Sequence, residues 1–449
     1  MRNSVYIIEA TIEALGLDSD DYPISKSTIQ RNRTEKRKER AEVIKIEFQN
    51  DLKDTVTGHW DGKLLPALDV RKCKEERLPI VISYGDKEQL IAVQKLDNFS
   101  GSEQAQAVWN AVTDWNLEDK VQILCYDTTA SNTGRINGAC VLLEQKFNRD
   151  VLIFAYHHHV YELVLKGVFK AKISQVTNNP DIPLFKKFRE NWKNIHPKKI
   201  QSAAEILSRL KVSENEKLLE FYRTELTKKI VRDTYRELIE LSIIFLGGDT
   251  ERKYKIGPPG AMHQARWVAR AIHSLKISLL SSQFKIPNKD KVALLDICMF
   301  IITCYVKPWM QFILAVKAPY QDLCFFKTMK AYKTVDKTIT KAALQKFCQH
   351  LWYLVDEVAV LSLFDDDVDQ QTKIKIVKNL SKENPPVYSK RYIPSKEDLC
   401  GLLYEKDIDD FISNKSKTCF TVLKLMTVFS TTVFFHGLVT LLFCELSNR

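Results

Sequence analysis

Although the 449 residues hold ten cysteines, no two of them form a Cys-x-x-Cys pair. That absence excludes the redox and zinc-ribbon sites built on such pairs, and the scatter fits a reducing compartment rather than a disulfide framework. The N-terminal region has no Cys/Cys/His/His spacing, so a separate DNA-reading zinc finger is not expected. Met1 leads into a mixed polar segment, with no apolar secretory leader behind it. No internal repeat is visible.

What is present is an ordinary globular composition, 45% hydrophobic and 27% charged, long enough for two or three domains. Lys and Arg outnumber Asp and Glu by 67 to 56, a net charge of +11 that favours a polyanionic partner, either nucleic acid or an anionic membrane surface. About half of the excess sits in residues 170–240, which carry 16 basic and 10 acidic side chains. A second basic run, Arg31, Arg33, Lys36, Arg37, Lys38 and Arg40, lies in a charge-rich helical stretch after Pro23. It is compatible with phosphate contact, with nuclear import, or with a plain solvated face, since Glu35, Glu39 and Glu42 interleave.

The periodicity then changes. Alternating or apolar runs at Thr55–Trp60, Leu78–Tyr84 and Gln89–Leu96 predict strands, followed by a helix over Gly101–Trp115. A further strand over Val121–Tyr126, a helix over Ile136–Phe147 and a strand over Val151–Tyr156 complete a β-β-β-α-β-α-β order. Beyond His157 the pattern is helical to about Phe364. An acidic connector with Pro385-Pro386 follows, and residues 425–444 form a run without Asp, Glu, Lys or Arg that holds a single histidine, His436. Residues 425–444 reach the length of a membrane span, so a tail anchor, a buried terminal element and a replaced coding end all remain open.

Two carboxylates stand out. Asp61 follows the first strand in His59-Trp60-Asp61-Gly62, and Asp127 ends the fourth in Leu124-Cys125-Tyr126-Asp127-Thr128-Thr129-Ala130-Ser131-Asn132. Paired acidic side chains on neighbouring strands suit Mg²⁺-assisted phosphodiester chemistry, which needs hard oxygen ligands flanking a phosphate. A turn role is the ordinary alternative for each, because Thr, Ser and Asn after Asp127 can bond the turn locally.

The block CYDTTASNTG, a helix, and then AYHHHVYELVL resembles the second-Asp region of hAT-type DDE transposases, over roughly residues 51–274. The resemblance implies an α/β fold in which an RNase H-like mixed sheet is interrupted by a large all-α insertion domain. The domain organisation expected from it is a helical segment (residues 1–52), a catalytic core (53–160), an all-α insertion (161–364), a connector with a helix (365–418) and an apolar tail (419–449). Asp61 and Asp127 would be catalytic metal ligands for Mg²⁺ or Mn²⁺. His159 matches a structural histidine of the family, where Tyr156 stands in place of the family's cysteine. Arg266 and Trp267, in Ala265-Arg266-Trp267, resemble the family's Arg-Trp element, implying DNA binding by Arg266 and contact with a flipped base by Trp267.

The family's third acidic ligand, a Glu in an Ala-Glu-Arg-like segment near the C-terminus, has no counterpart here, so the C-terminal part reads as truncated or replaced. The expectation is a nuclear, DNA-binding, transposase-derived protein, ancestrally hydrolysing and transferring phosphodiester strands but inactive in this form. Its expected partners are DNA, a second copy of the chain, and a membrane only where residues 425–444 act as an anchor. A non-catalytic domesticated DNA-binding protein and a tail-anchored membrane protein are the alternatives.

Overall fold

The computed structural model describes residues 2–22, 24–52, 55–66, 74–84, 87–173, 182–200, 210–228, 230, 232–250, 256–259, 268–311, 315–380, 394 and 403–422. Arg266, Trp267 and the apolar run 425–444 lie outside them. The protein is mixed α/β, with antiparallel and parallel strand pairs among predominantly helical elements. The chain divides into two compact units, Met1–Val121 and Gln122–Arg449.

The first unit opens with helices α1 (Arg2–Ala14) and α2 (Lys26–Asp51), the latter capped by Ser25, whose hydroxyl accepts from the Thr28 N–H. Strands β1 (Val56–Trp60), β2 (Lys63–Pro66), β3 (Lys74–Tyr84) and β4 (Lys87–Leu96) follow. β1 and β2 both pair antiparallel with one edge of β3, and β4 pairs antiparallel with the other. Period-two alternation explains which face is dry: Val56, Gly58 and Trp60 are buried on β1, and Leu78, Ile80 and Ile82 on β3. Helix α3 (Gly101–Asp114) supplies buried Ala105, Val108, Ala111 and Val112 at helical spacing, and the Ser100 hydroxyl caps it by accepting from the Glu103 N–H.

β2 was not legible in the sequence. Its register continues that of β1, because Trp60 pairs with Ile80 and Lys63 with Arg77. The two strands are thus one ribbon interrupted at Asp61-Gly62, which fall opposite Pro79 and Leu78. Pro79 has no N–H to give, a local reason for pairing to lapse there.

The second unit is built around helix α6 (His157–Lys172), whose Val160, Tyr161, Val164, Leu165, Val168 and Phe169 are all buried in one continuous apolar core. It follows strands β5 (Val121–Tyr126) and β6 (Leu152–Ala155), which pair in parallel, with α4 (Ala130–Thr133) and α5 (Ala139–Phe147) between them. α5 begins three residues later than the apolar pattern predicts: Gly138 donates its N–H to Gly134 O in a turn, and Ile136 is exposed. Gly167 lets the helix Lys337–Phe347 approach α6, since a Cβ there would lie 2.8 Å from the Lys346 side chain. At the end of α6 Lys172 pairs with Asp336, the cap of the helix Lys337–Phe347, and with Asp296 of the helix Asn288–Phe300.

The helical pattern expected up to about Phe364 ends in a short α-turn, Asp356–Ala359, running into a tighter helix, Val360–Phe364. Within the second unit, the helical run Asn288–Gln311 is long and apolar enough to cross a membrane, yet it is mostly buried in the core. It contains a π-helical turn at Ile301–Tyr305. Cys125, Cys304 and Cys419 are free thiols whose desolvation pushes their pKa up to about 12, which disfavours the thiolate.

Candidate functional site

Asp61 and Asp127 belong to different units, and each has its own local setting. Asp61 sits half-buried at the break in the β1–β2 ribbon. Its neighbour Gly62 is closely approached, for an added Cβ would meet the Phe99 ring at 2.7 Å and require that ring to shift. On the same face of β1 lies His59, whose Nε2 is 2.6 Å from the Ser83 hydroxyl. Burial lowers the His59 pKa, with Glu88 acting in the opposite direction.

Asp127 lies just beyond the C-terminal end of β5 in the β5–β6 crossover, the end at which open parallel sheets place ligands. Its carboxylate organises the loop that follows. Oδ1 accepts from the Thr129 N–H at 3.1 Å, from the Thr129 hydroxyl at 2.7 Å and from the Asn132 amide at 2.7 Å. These bonds form the Asx-type turn that the Thr/Ser/Asn run predicts, and they leave Oδ2 as the oxygen open to a cation. Asn132 is itself buried, so Asn132→Ala is expected to lower stability by about 1–2 kcal/mol through loss of a bond to a charged acceptor. Thermal denaturation checks this, and an unchanged melting temperature would show that the turn holds without it.

The start of α6 lies close to this loop, since Tyr156 N–H donates to Tyr126 O at 2.9 Å. The three histidines that follow diverge. His157 is buried, with Nε2 at 3.0 Å from Asp322 Oδ1, and its ring stacks on Tyr353 with centroids 4.0 Å apart. Tyr161 also donates to Asp322, at 3.3 Å, while the Tyr353 hydroxyl donates to Ala155 O at 2.9 Å. His158 lies 3.3 Å from the Tyr235 hydroxyl and edge-on to Trp309, and burial lowers its pKa to about 4. His159, the residue matched by the resemblance, is half-buried in the first turn of α6. The triplet therefore serves three environments and cannot converge on one ion.

The His157–Asp322–Tyr161 cluster was missed by sequence reasoning. Its signal is a lone Asp among apolar residues in Gln321-Asp322-Leu323-Cys324-Phe325-Phe326, which only a buried partner can satisfy.

Close to the Arg-Trp element, Val268 has φ 56°, a left-handed conformation that a β-branched residue adopts at a cost. Its N–H is held by Glu162 Oε1 at 2.8 Å, and Glu162 also accepts from the Tyr305 hydroxyl at 3.0 Å.

A two-metal centre needs several carboxylates converging on one point. Asp127 offers one open oxygen, but among the described residues no three His, Cys, Asp or Glu side chains gather into a group able to hold an ion. The donor set described does not complete such a centre, and no chemical step is assigned to an ion. No protein-family model matches the chain, and no curated protein matches it in sequence.

Proposed function

We propose that the chain is a DNA-binding protein derived from a hAT-type transposase, with an RNase H-like core whose ancestral Mg²⁺-dependent phosphodiester chemistry has lapsed. The observation that carries this reading is Asp127 at the C-terminal end of β5, in a parallel β5–β6 unit that leads directly into the histidine-headed α6. The antiparallel order β4-β3-β1 in the first unit is compatible with the same fold. The net charge of +11 favours a polyanion. Asp61 and Asp127 stand as the relics of the metal site. Arg266 and Trp267 are proposed as DNA-contacting residues, and the nucleus as the compartment, on the resemblance alone.

The test is a paired assay on the full chain, measuring duplex binding by fluorescence anisotropy and nicking of hairpin and duplex DNA with Mg²⁺ or Mn²⁺. Saturable binding without nicking is expected, and Asp61→Ala and Asp127→Ala should leave the affinity within about twofold, since carboxylates make no favourable phosphate contact of their own. Metal-dependent nicking that Asp61→Ala abolishes would establish a working nuclease instead. Failure to bind any duplex would remove the reading altogether.

A further inference from the structure

Helix α2 is anchored only towards its ends. Ile29 is buried near its start, and near its finish Phe48 packs edge-on against Tyr84 and Trp115, with ring centroids 5.3 and 5.5 Å away. Between these anchors every residue from 30 to 43 is exposed, a bare helical span of roughly 21 Å at the usual rise per residue. A helix that packs on a core shows solvent a single face; this span shows all of its faces.

Most of its basic charges gather on one side of the axis, while Arg31 and Lys38 fall beside the acidic residues on the other. At about 100° per residue, Lys36, Arg40, Arg33, Lys26 and Arg37 fall within an arc of about 100°, while Glu35, Glu39 and Glu42 lie on the far side. Lys36 leans towards that acidic side and pairs with Glu39 at 2.7 Å. Lys26, Arg33, Arg37 and Arg40 form the clean stripe. Gln30, on the border of the stripe, adds an amide of the kind that reads base edges.

We propose that α2 is the duplex-recognition helix of this protein, lying in the major groove of B-form DNA with Lys26, Arg33, Arg37 and Arg40 against the nucleic acid. This rests on the DNA-binding reading above and names the surface responsible. A groove touches an inserted helix on its floor and both walls, so it requires a helix unobstructed on several sides, as α2 is. The major groove, about 12 Å wide, admits one α-helix with its side chains. Double-stranded RNA is a poor fit, because its major groove is too deep and narrow for a helix to enter. A membrane surface is a poor fit too, because apolar side chains in the bare span are limited to Ala41 and Val43 and no apolar stripe accompanies the charge.

The experiment measures binding of the full chain to a mixed-sequence DNA duplex over a salt series. The recognition variant combines Lys26→Gln, Arg33→Gln, Arg37→Gln and Arg40→Gln. All four sites are exposed and glutamine is a good helix former, so folding is retained and circular dichroism verifies it. The control removes the same charge from exposed positions of the second unit with Lys187→Gln, Lys193→Gln, Lys211→Gln and Lys217→Gln.

The recognition variant is expected to lose about a hundredfold in affinity, and its log–log salt slope should become shallower by about 3 to 4, close to one phosphate per removed charge. The control should change both far less. Equal losses in the two variants, or none in the recognition variant, would overturn the assignment to α2 while leaving DNA binding intact. If the unmodified chain binds no duplex, both readings fall, and α2-dependent binding to phosphatidylserine vesicles without DNA binding would reassign the helix to a membrane surface.

Discussion

Acidification from pH 7 to pH 5 is expected to remove roughly 3 to 4 kcal/mol of stability from the second unit, chiefly through His158 and His273. Burial is the main cause that holds both rings at about 4 in the fold, against an ordinary value of 6.5. The unfolded chain therefore binds protons that the folded chain refuses, so the stabilisation is complete above about pH 6.5 and drains away as pH falls towards 4. The two rings should contribute about equally. His273 is almost wholly buried, and its Nδ1 donates to Ala269 O at 2.8 Å, which leaves Nε2 as a buried atom with no hydrogen-bond partner among the described residues. A proton added at Nε2 has nothing among them to donate to, and Lys276 is among the cations that oppose it. Urea denaturation at the two pH values measures the loss, and His273→Leu should flatten the dependence. An unchanged midpoint between the two pH values would sink the argument.

The second large effect is expected at Asp322. Asp322→Ala should cost about 3 kcal/mol or more, because it removes the buried carboxylate that both His157 and the Tyr161 hydroxyl bond. Asp322 itself is fully buried, with Oδ2 unbonded among the described residues, so the native arrangement already bears a desolvation cost that the contacts to Oδ1 offset. Asp322→Asn keeps an acceptor in place and should cost less, about 1–2 kcal/mol. Chemical denaturation separates the two variants. A loss below about 1 kcal/mol for Asp322→Ala would mean that His157 and Tyr161 find other partners by local repacking.

Much of the strand framework was legible because its residues obey one rule at a time. Leu78–Tyr84 and Val121–Tyr126 are apolar and β-branched runs between charged turns, and they appear as the body of β3 and as β5. The elements that escaped are those decided by contacts distant in sequence. β2 is a Lys-Leu-Leu-Pro segment with no alternation of its own, and it exists because β3 is long enough to pair with a continuation of β1. The break at Asp61 depends on Pro79, eighteen positions later in the chain. For the site, Asp127 and its turn were readable from the Thr, Ser and Asn that follow, whereas the partner of His157 lies 165 residues away. Local chemistry announces a turn; a buried pair is announced only by its second half.

The apolar run Asn288–Gln311 bears on how the chain is made. Part of what covers it comes early: Tyr305 bonds Glu162, and Tyr222 donates to Ile302 O. Part comes late, for Phe300 packs edge-on against Tyr332 and the helix Ala318–Ala331 follows it in the chain. During N-to-C synthesis this stretch therefore leaves the ribosome before all of its cover exists. For that interval the nascent chain displays a segment with the hydropathy of a membrane span, and translation slowed after the segment has emerged would favour capture by membrane-targeting or chaperone machinery over folding.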